Sequence, residues 1–273
     1  MLGKFSIKHR PPFLLLGGIL ILVLAGCQGG AKLININIDS EAEVATATVK
    51  KIEATSSPEA KTAEKIKAPI VPATNLKQVL SKLELPVLFA QQAPFANWDA
   101  LHEEACEEAA MIIVAKYFLH QPLNETIMEQ EIQKLVKWEK ERGYEVDLTA
   151  QETVEILQTL FGLKTEVSQE VTVDQIKYEL SQGNLIIVPA AGRELNNPNF
   201  KQPGPIYHML VIKGYNDQEF ITNDPGTRKG NGWKYKYSQL LDSVHDWNHD
   251  LAKDGLTNQE MAQGERVMVI VRK

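Results

Sequence analysis

The order of helical and strand-like segments constrains the fold of this chain more than any other feature. Segments with helical character come first, at 103–119, at 124–142 and after Thr149 and Thr172. Short β-branched or apolar segments follow, at 185–188, 209–213, 220–222 and 267–271. Helices that precede strands, rather than alternating with them, favour separate helical and sheet layers. The sequence therefore predicts an α+β fold, with N-terminal helices packed on a mostly antiparallel sheet.

Capping signals set the limits of two predicted helices. Thr149 with Glu152 forms a capping box before a helix that closes at Gly162. Thr172 with Gln175 repeats the device, and Gly183 closes that helix. The segment 124–142 places Met128, Ile132, Leu135 and Val136 on one face and stops at Gly143.

The chain divides into three predicted parts. Residues 40–75 are rich in Ala, Thr, Glu, Lys, Ser and Pro and contain no aromatic residue, so they cannot bury enough surface to fold. We therefore predict a signal peptide over residues 1–26, a lipid-anchored flexible linker over 27–75 and a single domain over 76–273.

The N-terminal segment has the features of an export signal. Lys4, Lys8 and Arg10 precede an apolar run from Phe13 to Ala25, which is about 20 Å long as a helix and too short to span a bilayer. The run ends in Leu24-Ala25-Gly26-Cys27, which resembles the lipobox of bacterial lipoproteins. That resemblance implies lipidation of Cys27, with a second fatty acyl chain such as palmitate at its amino group. We expect anchoring at the extracytoplasmic face of the cell membrane; a short uncleaved transmembrane anchor is the alternative.

Charge and cysteine content narrow the partners and the means of stabilisation. The net charge is −6, and no basic stripe runs along the mature chain, so nucleic acid is not an expected partner. Besides Cys27 there is one cysteine, Cys106, so no internal disulfide is expected.

Cys106 is the first candidate for chemistry. Asn97 or Asp99 is predicted to cap the helix in which it lies, so Cys106 falls near the helix start, where the dipole lowers the pKa of a thiol. Glu103, Glu104, Glu107 and Glu108 surround it in sequence; close in space they would oppose a thiolate, whereas in the first turn they can point to solvent and favour the helix dipole. The alternative is a small buried hydrophobic residue.

Three further residues complete the candidate site. His208 opens a predicted strand, and Asp224 ends the next strand beyond a predicted Asn216-Asp217 hairpin turn, so the two side chains are expected to meet. Gln92, in the segment Gln91-Gln92-Ala93-Pro94, is a candidate oxyanion donor. The alternatives are a strand-end histidine, a turn aspartate in Asn-Asp-Pro-Gly and an ordinary loop glutamine.

These segments together resemble the peptidase C-39-like family of papain-like cysteine hydrolases. The matching pieces are Gln92-Ala93-Pro94, Asn97-Trp98-Asp99, Glu104 to Ala109, Tyr207 to Tyr215 and Asn223 to Gly226. The resemblance implies a papain-like fold in which Cys106 is the nucleophile, His208 the general base and acid, Asp224 its orienting residue and Gln92 an oxyanion donor. It also implies hydrolysis of an amide through an acyl-enzyme, with no metal or cofactor.

The sequence leaves several functions open. The first hypothesis is a tethered cysteine peptidase or amidase acting on a peptide or a cell-wall amide. The second is a non-catalytic peptide- or cell-wall-binding module, and the third is acyl transfer to an amine. His245 and His249, four residues apart, offer a weaker possibility of zinc binding. Trp233, Tyr235 and Tyr237 are interpreted as strand packing rather than as the rim of a cleft.

Overall fold

The computed structural model describes residues 80–273. The predicted signal peptide, Cys27 and the linker lie outside the described residues, and their assignments stay predictions. The elements, in chain order, are β1 (Leu83–Glu84), α1 (Cys106–Phe118), α2 (Glu125–Lys140), α3 (Ala150–Phe161), β2 (Lys164–Ser168), α4 (Val173–Ser181), β3 (Leu185–Ala191), β4 (Tyr207–Tyr215), β5 (Glu219–Asn223), β6 (Asn231–Lys236), α5 (Tyr237–Ser243), α6 (His249–Ala252), α7 (Asn258–Met261) and β7 (Met268–Arg272).

All strand pairs in the sheet are antiparallel. The order is β2-β7-β3-β4-β5-β6, and the short β1 pairs with β4. The central strands β3 and β4 are buried along their whole length, because α1 packs against them. The predicted α+β class, with early helices on an antiparallel sheet, is confirmed.

The strands at the two ends of the sheet have little apolar character. The strand β2 reads Lys-Thr-Glu-Val-Ser and β6 reads Asn-Gly-Trp-Lys-Tyr-Lys, and all their residues except Tyr235 are exposed or half-buried. They are the two ends of the sheet order, where one side of the strand has no neighbour. Strands at such positions use polar side chains, which weakens the apolar pattern by which a strand is recognised.

Helix α1 is the buried helix of the domain. Every residue in it except Tyr117 is buried, since β4 and β3 cover one side and α2 and α3 cover others. Glu107 is 0% exposed and Glu108 is 3% exposed. Of the two possibilities that the sequence left open, the one in which these two carboxyl groups point to solvent is therefore wrong: a helix enclosed by other elements leaves its first turn no solvent-facing side.

The start of α1 also differs from the prediction. The helix begins at Cys106, and its N-cap, Ala105, provides no side-chain hydrogen bond. Asp99, one of the predicted caps, instead accepts hydrogen bonds from the amides of Leu101 and His102, each at 3.1 Å, and closes a separate turn. Cys106 is thus the first residue of the helix, where amide groups lack intrahelical partners.

The other predicted helix starts are confirmed, although Thr172 caps α4 without the return hydrogen bond of a capping box, because the Gln175 side chain donates to Glu179 instead. Asn124 caps α2, and Met128, Ile132 and Leu135 are buried on one face. Thr149 and Glu152 form the predicted capping box of α3, and Gly162 ends that helix with φ +64°.

The β4–β5 hairpin carries the candidate site. Asn216 Oδ1 accepts hydrogen bonds from the amides of Gln218 at 2.9 Å and Glu219 at 2.8 Å, which closes the turn. Antiparallel pairing then brings the end of β5 alongside the beginning of β4. Asp224 follows β5 directly, and His208 is the second residue of β4, so the hairpin brings the two together.

Within residues 80–273, no helix is both long enough and apolar enough to cross a membrane.

A pair of buried carboxyl groups connects α1 to α2. Glu108 and Glu139 are 3% and 4% exposed, and each has a buried carboxyl oxygen without a hydrogen-bond partner. Burial raises the pKa of Glu139 to about 7. Burial, followed by the proximity of Glu139, raises the pKa of Glu108 well above its ordinary value. The contact between the two carboxyl groups is therefore most stable when both groups are protonated.

We expect the domain to lose stability as the pH rises from 5 to 9. A carboxyl group whose pKa is higher in the folded state stabilises the fold below its unfolded pKa, and this contribution is lost as the pH passes its folded pKa. For Glu139, a rise from 4.5 to about 7 corresponds to about 3 kcal/mol at pH 9. Urea unfolding across this range should show the loss, and Glu139→Gln should reduce it. Equal pH dependence in both proteins would contradict the assignment.

Candidate active site

One cavity of about 940 Å³ contains three of the four predicted site residues. Gln92, Cys106 and His208 line it, and they come from the segment after β1, from the start of α1 and from the start of β4. The loop between β3 and β4, called the rim loop below, contributes residues 199–206 to the same wall, and Tyr207 at the start of β4 adjoins them. The fourth predicted residue, Asp224, lies behind His208 and is fully buried.

His208 and Asp224 form a buried pair. His208 Nε2 donates a hydrogen bond to Asp224 Oδ1 at 2.8 Å, which leaves Nδ1 with no hydrogen-bond partner among the described residues. Burial opposes ionisation of Asp224. The charge of the adjacent His208 outweighs this effect, together with hydrogen bonds from His208, Tyr235 and the Gly226 amide, and the pKa of Asp224 is held below its ordinary value. The aspartate therefore stays ionised and fixes the orientation of the imidazole.

Two residues that sequence analysis did not assign to the site hold the second oxygen of Asp224. Tyr235 Oη donates to Asp224 Oδ2 at 2.5 Å, and Asn197 Nδ2 donates to the same oxygen at 3.0 Å. Asn197 also donates to Tyr235 Oη at 2.8 Å, so the three side chains form one network. Tyr235 was interpreted as strand packing; it pairs with Phe220 near the start of β5, and no local sequence pattern indicates its contact with Asp224.

The imidazole of His208 is also confined by shape. A Cβ atom on Gly226 would lie 2.8 Å from His208 Cε1, so only glycine fits against this face. The ring of Phe200 meets the imidazole edge to face, with centroids 5.2 Å apart. The Asn-Asp-Pro-Gly turn therefore supplies both the carboxylate and the space for the ring.

Cys106 is a free, buried cysteine whose thiol faces a carboxyl group. Sγ donates to Glu107 Oε2 at 3.0 Å and makes no hydrogen bond to His208. Burial first, and then the neighbouring Glu107, raise the pKa of Cys106 well above its ordinary value. The structure thus contains a resting thiol rather than a thiolate–imidazolium pair.

Gln92 braces the segment that leads into α1. Its Nε2 donates to the carbonyls of His102 at 2.9 Å and Glu103 at 3.2 Å, and its Oε1 has no partner. The Cys106 amide, at the helix start, has no hydrogen-bond partner among the described residues. The amide is available to an oxyanion, while the role of Gln92 as an oxyanion donor stays a prediction.

A second histidine fixes the same segment. His102 is 3% exposed, and its two ring nitrogens face Asp99 Oδ1 at 2.8 Å and Glu129 Oε2 at 2.9 Å. This contact joins the segment before Cys106 to α2. Sequence inspection offered no signal for it, because Glu129 is 27 residues away from His102.

The zinc alternative has no support in the geometry. His245 precedes α6 and donates from Nδ1 to the Gly264 carbonyl at 3.0 Å, whereas His249 opens α6 and contacts Glu152 at 2.9 Å and Glu145 at 3.3 Å. The two histidines do not share a helix face. Across residues 80–273, no group of three or more candidate ligands is placed to hold a metal ion.

The wall of the cavity beside Cys106 is acidic. Burial, then Glu103, raise the pKa of Glu104, and burial, then Glu104, raise the pKa of Asp147 to about 6. Glu103 itself lies 3.7 Å from the ammonium group of Lys201. The negative charge near the thiol is therefore only partly balanced by cations.

Comparison with known proteins identifies the family. Residues 85–250 match the model of the Peptidase_C39 like family. The chain belongs to this family. The α+β architecture agrees with the papain-like fold that the sequence resemblance implied, and family membership indicates a peptidase-like enzyme.

One solved structure adds a similar chain. The crystal structure of a protein from Bacillus anthracis, described as a C39-like peptidase, aligns with a TM-score of 0.45 and 12% identity, over 70% of this chain and 98% of that chain. No curated protein matches this chain.

We expect Tyr235→Phe to loosen the hold on Asp224. The change removes the hydroxyl donor but keeps the ring, so Asp224 Oδ2 retains only Asn197. Loss of a hydrogen bond to a buried charged group costs about 1–3 kcal/mol. Urea unfolding at pH 7 measures the cost, with Tyr237→Phe as the control because that hydroxyl contacts the Asn216 carbonyl outside the site. Equal losses in both variants would contradict a special role for Tyr235.

Proposed function

We propose that this protein is an extracytoplasmic cysteine hydrolase, a peptidase or amidase, in which Cys106, His208 and Asp224 act as the catalytic triad. The observation that carries the proposal is the buried His208–Asp224 hydrogen bond of 2.8 Å, at the wall of the cavity that Cys106 also lines. A carboxylate bound to Nε2 leaves Nδ1 as the ring nitrogen that is able to accept the proton of a thiol.

The reaction proceeds in two halves. His208 Nδ1 takes the proton from Cys106 Sγ, and the thiolate attacks the carbonyl carbon of the bound amide. The C–N bond breaks, the proton passes from His208 to the departing amine, and an acyl group remains on Sγ. Water, deprotonated by His208, then cleaves the thioester and restores the thiol.

The starting geometry requires one movement before this reaction. Sγ, which is hydrogen-bonded to Glu107 and not to His208, must come within hydrogen-bond distance of His208 Nδ1. Once Sγ has moved, the free amide of Cys106 at the start of α1 is suited to stabilise the negative oxygen of the tetrahedral intermediate.

The location of the enzyme is the second part of the proposal. Lipid on Cys27 would hold the domain at the outer face of the cell membrane, and the sequence Leu24-Ala25-Gly26-Cys27 supports it. Incorporation of labelled fatty acid into the wild-type chain but not into Cys27→Ala tests it; equal labelling would refute it.

A non-catalytic binding module is the second candidate. The contact of Cys106 Sγ with Glu107, and the raised pKa of the thiol, favour it because both describe a cysteine that is not activated. In that case the cavity binds a peptide or cell-wall fragment without turnover.

The reactivity of Cys106 towards iodoacetamide against pH distinguishes the two. We expect wild-type Cys106 to react below the free-thiol pKa of ~8.5, and His208→Ala to move the inflection upward, because an imidazole that accepts the proton favours the thiolate. The experiment uses the full chain, with the labelled site assigned by peptide mass spectrometry. Reactivity that is the same in wild type and His208→Ala would support the binding module instead.

A further inference from the structure

Glu107 is held in place through both of its carboxyl oxygens. Oε2 accepts the hydrogen bond of Cys106 Sγ at 3.0 Å, and Oε1 accepts the amide of Leu148 at 3.1 Å. The side chain is 0% exposed. The carboxyl group is therefore a fixed part of the environment of the thiol, one residue along the helix.

The surroundings of Glu107 do not neutralise it. Within residues 80–273, no nitrogen of lysine, arginine or histidine lies within 4.0 Å of its carboxyl oxygens. Burial, then the charge of Asp147, raise the pKa of Glu107 to about 8. The titratable groups around it are Cys106 and Glu108 on the same helix, Asp147 before α3, and Tyr207 on β4.

The two protonation states of Glu107 act on the thiol in opposite ways. An ionised carboxylate accepts the S–H hydrogen bond and repels a thiolate about 3 Å away. A neutral carboxyl group has no charge to repel the thiolate and carries a proton that it can donate to it. The same side chain therefore opposes or supports the nucleophile, depending on one proton.

We propose that Glu107 is a positioning residue that controls when Cys106 becomes nucleophilic. As a carboxylate, Glu107 keeps the thiol protonated and hydrogen-bonded to itself rather than to His208. As a carboxylic acid, it lets the thiol pass its proton to His208 and donates a hydrogen bond to the resulting thiolate. The inference rests on the proposed function. It predicts that the site limits its own activity at alkaline pH. Glu107 then loses its proton to solvent and, as a carboxylate, again accepts the hydrogen bond of the resting thiol.

The variant Glu107→Gln tests this directly. Glutamine keeps the shape and the acceptor for the Leu148 amide, but it carries no charge at any pH. In iodoacetamide labelling of Cys106 in the full chain, the alkaline step, which is the one set by ionised Glu107, should move about one pH unit lower, which is a roughly tenfold increase in rate near pH 8. Glu108→Gln is the matched control, since that carboxyl is equally buried on the same helix but faces Glu139; its shift should be clearly smaller.

The wild-type curve alone gives a second test if Glu107→Gln does not fold. The labelling rate is expected to rise in two steps with pH. In the first step His208 takes the thiol proton; in the second, at higher pH, the thiol loses its proton despite the ionised Glu107. A plateau or dip separates the two steps. A single sigmoid would contradict the proposal, as would a Glu107→Gln curve that superimposes on wild type or on Glu108→Gln. If His208→Ala still moves the curve in that case, the hydrolase stands and only the role of Glu107 fails. A curve typical of a free thiol, unchanged in every variant, would contradict both the hydrolase function and the role of Glu107.

Discussion

The hydrogen bond between His208 Nε2 and Asp224 Oδ1 depends on most of the architecture around it. The β4–β5 hairpin must close at Asn216 for the two residues to meet, and Gly226 must lack a side chain for the imidazole to fit. Tyr235 from β6 and Asn197 from the rim loop must reach the second carboxylate oxygen. A buried carboxylate is costly unless its oxygens are hydrogen-bonded, so the arrangement holds as a unit.

The helix start opposite this pair imposes a different constraint. Cys106 is placed at the first residue of α1, where helical amides favour an anion, yet Glu107 and Asp147 bring negative charge to the same place. In the structure the protonated thiol prevails, because burial penalises a thiolate and Glu107 Oε2 accepts a hydrogen bond from the thiol. Activation of the nucleophile therefore depends on the balance between His208 and Glu107 rather than on the helix dipole alone.

Local signals in the sequence predicted the parts of the fold that depend on local physics. The capping box at Thr149, the face of α2 and the turn at Asn216 follow from neighbouring residues, and the structure confirms them. The predicted start of α1 was wrong, because Asp99 closes a separate turn instead of capping the helix. The burial of Glu107 depends on β4 and on the amide of Leu148, 41 residues away, which no local pattern reveals. Tyr235 was missed for a similar reason, since its partner Asp224 follows the neighbouring strand β5.

The most direct test of the account is whether Cys106 and His208 form and hydrolyse an acyl-enzyme. An activated ester presented to the full chain, with rapid quenching and intact-mass analysis, reports acylation and deacylation separately. We predict that wild type acquires an acyl group on Cys106 and loses it with time, whereas His208→Ala acquires it slowly and retains it. Acylation and deacylation that proceed at the same rates in both proteins, or a folded wild type that never acquires the group, would contradict the account.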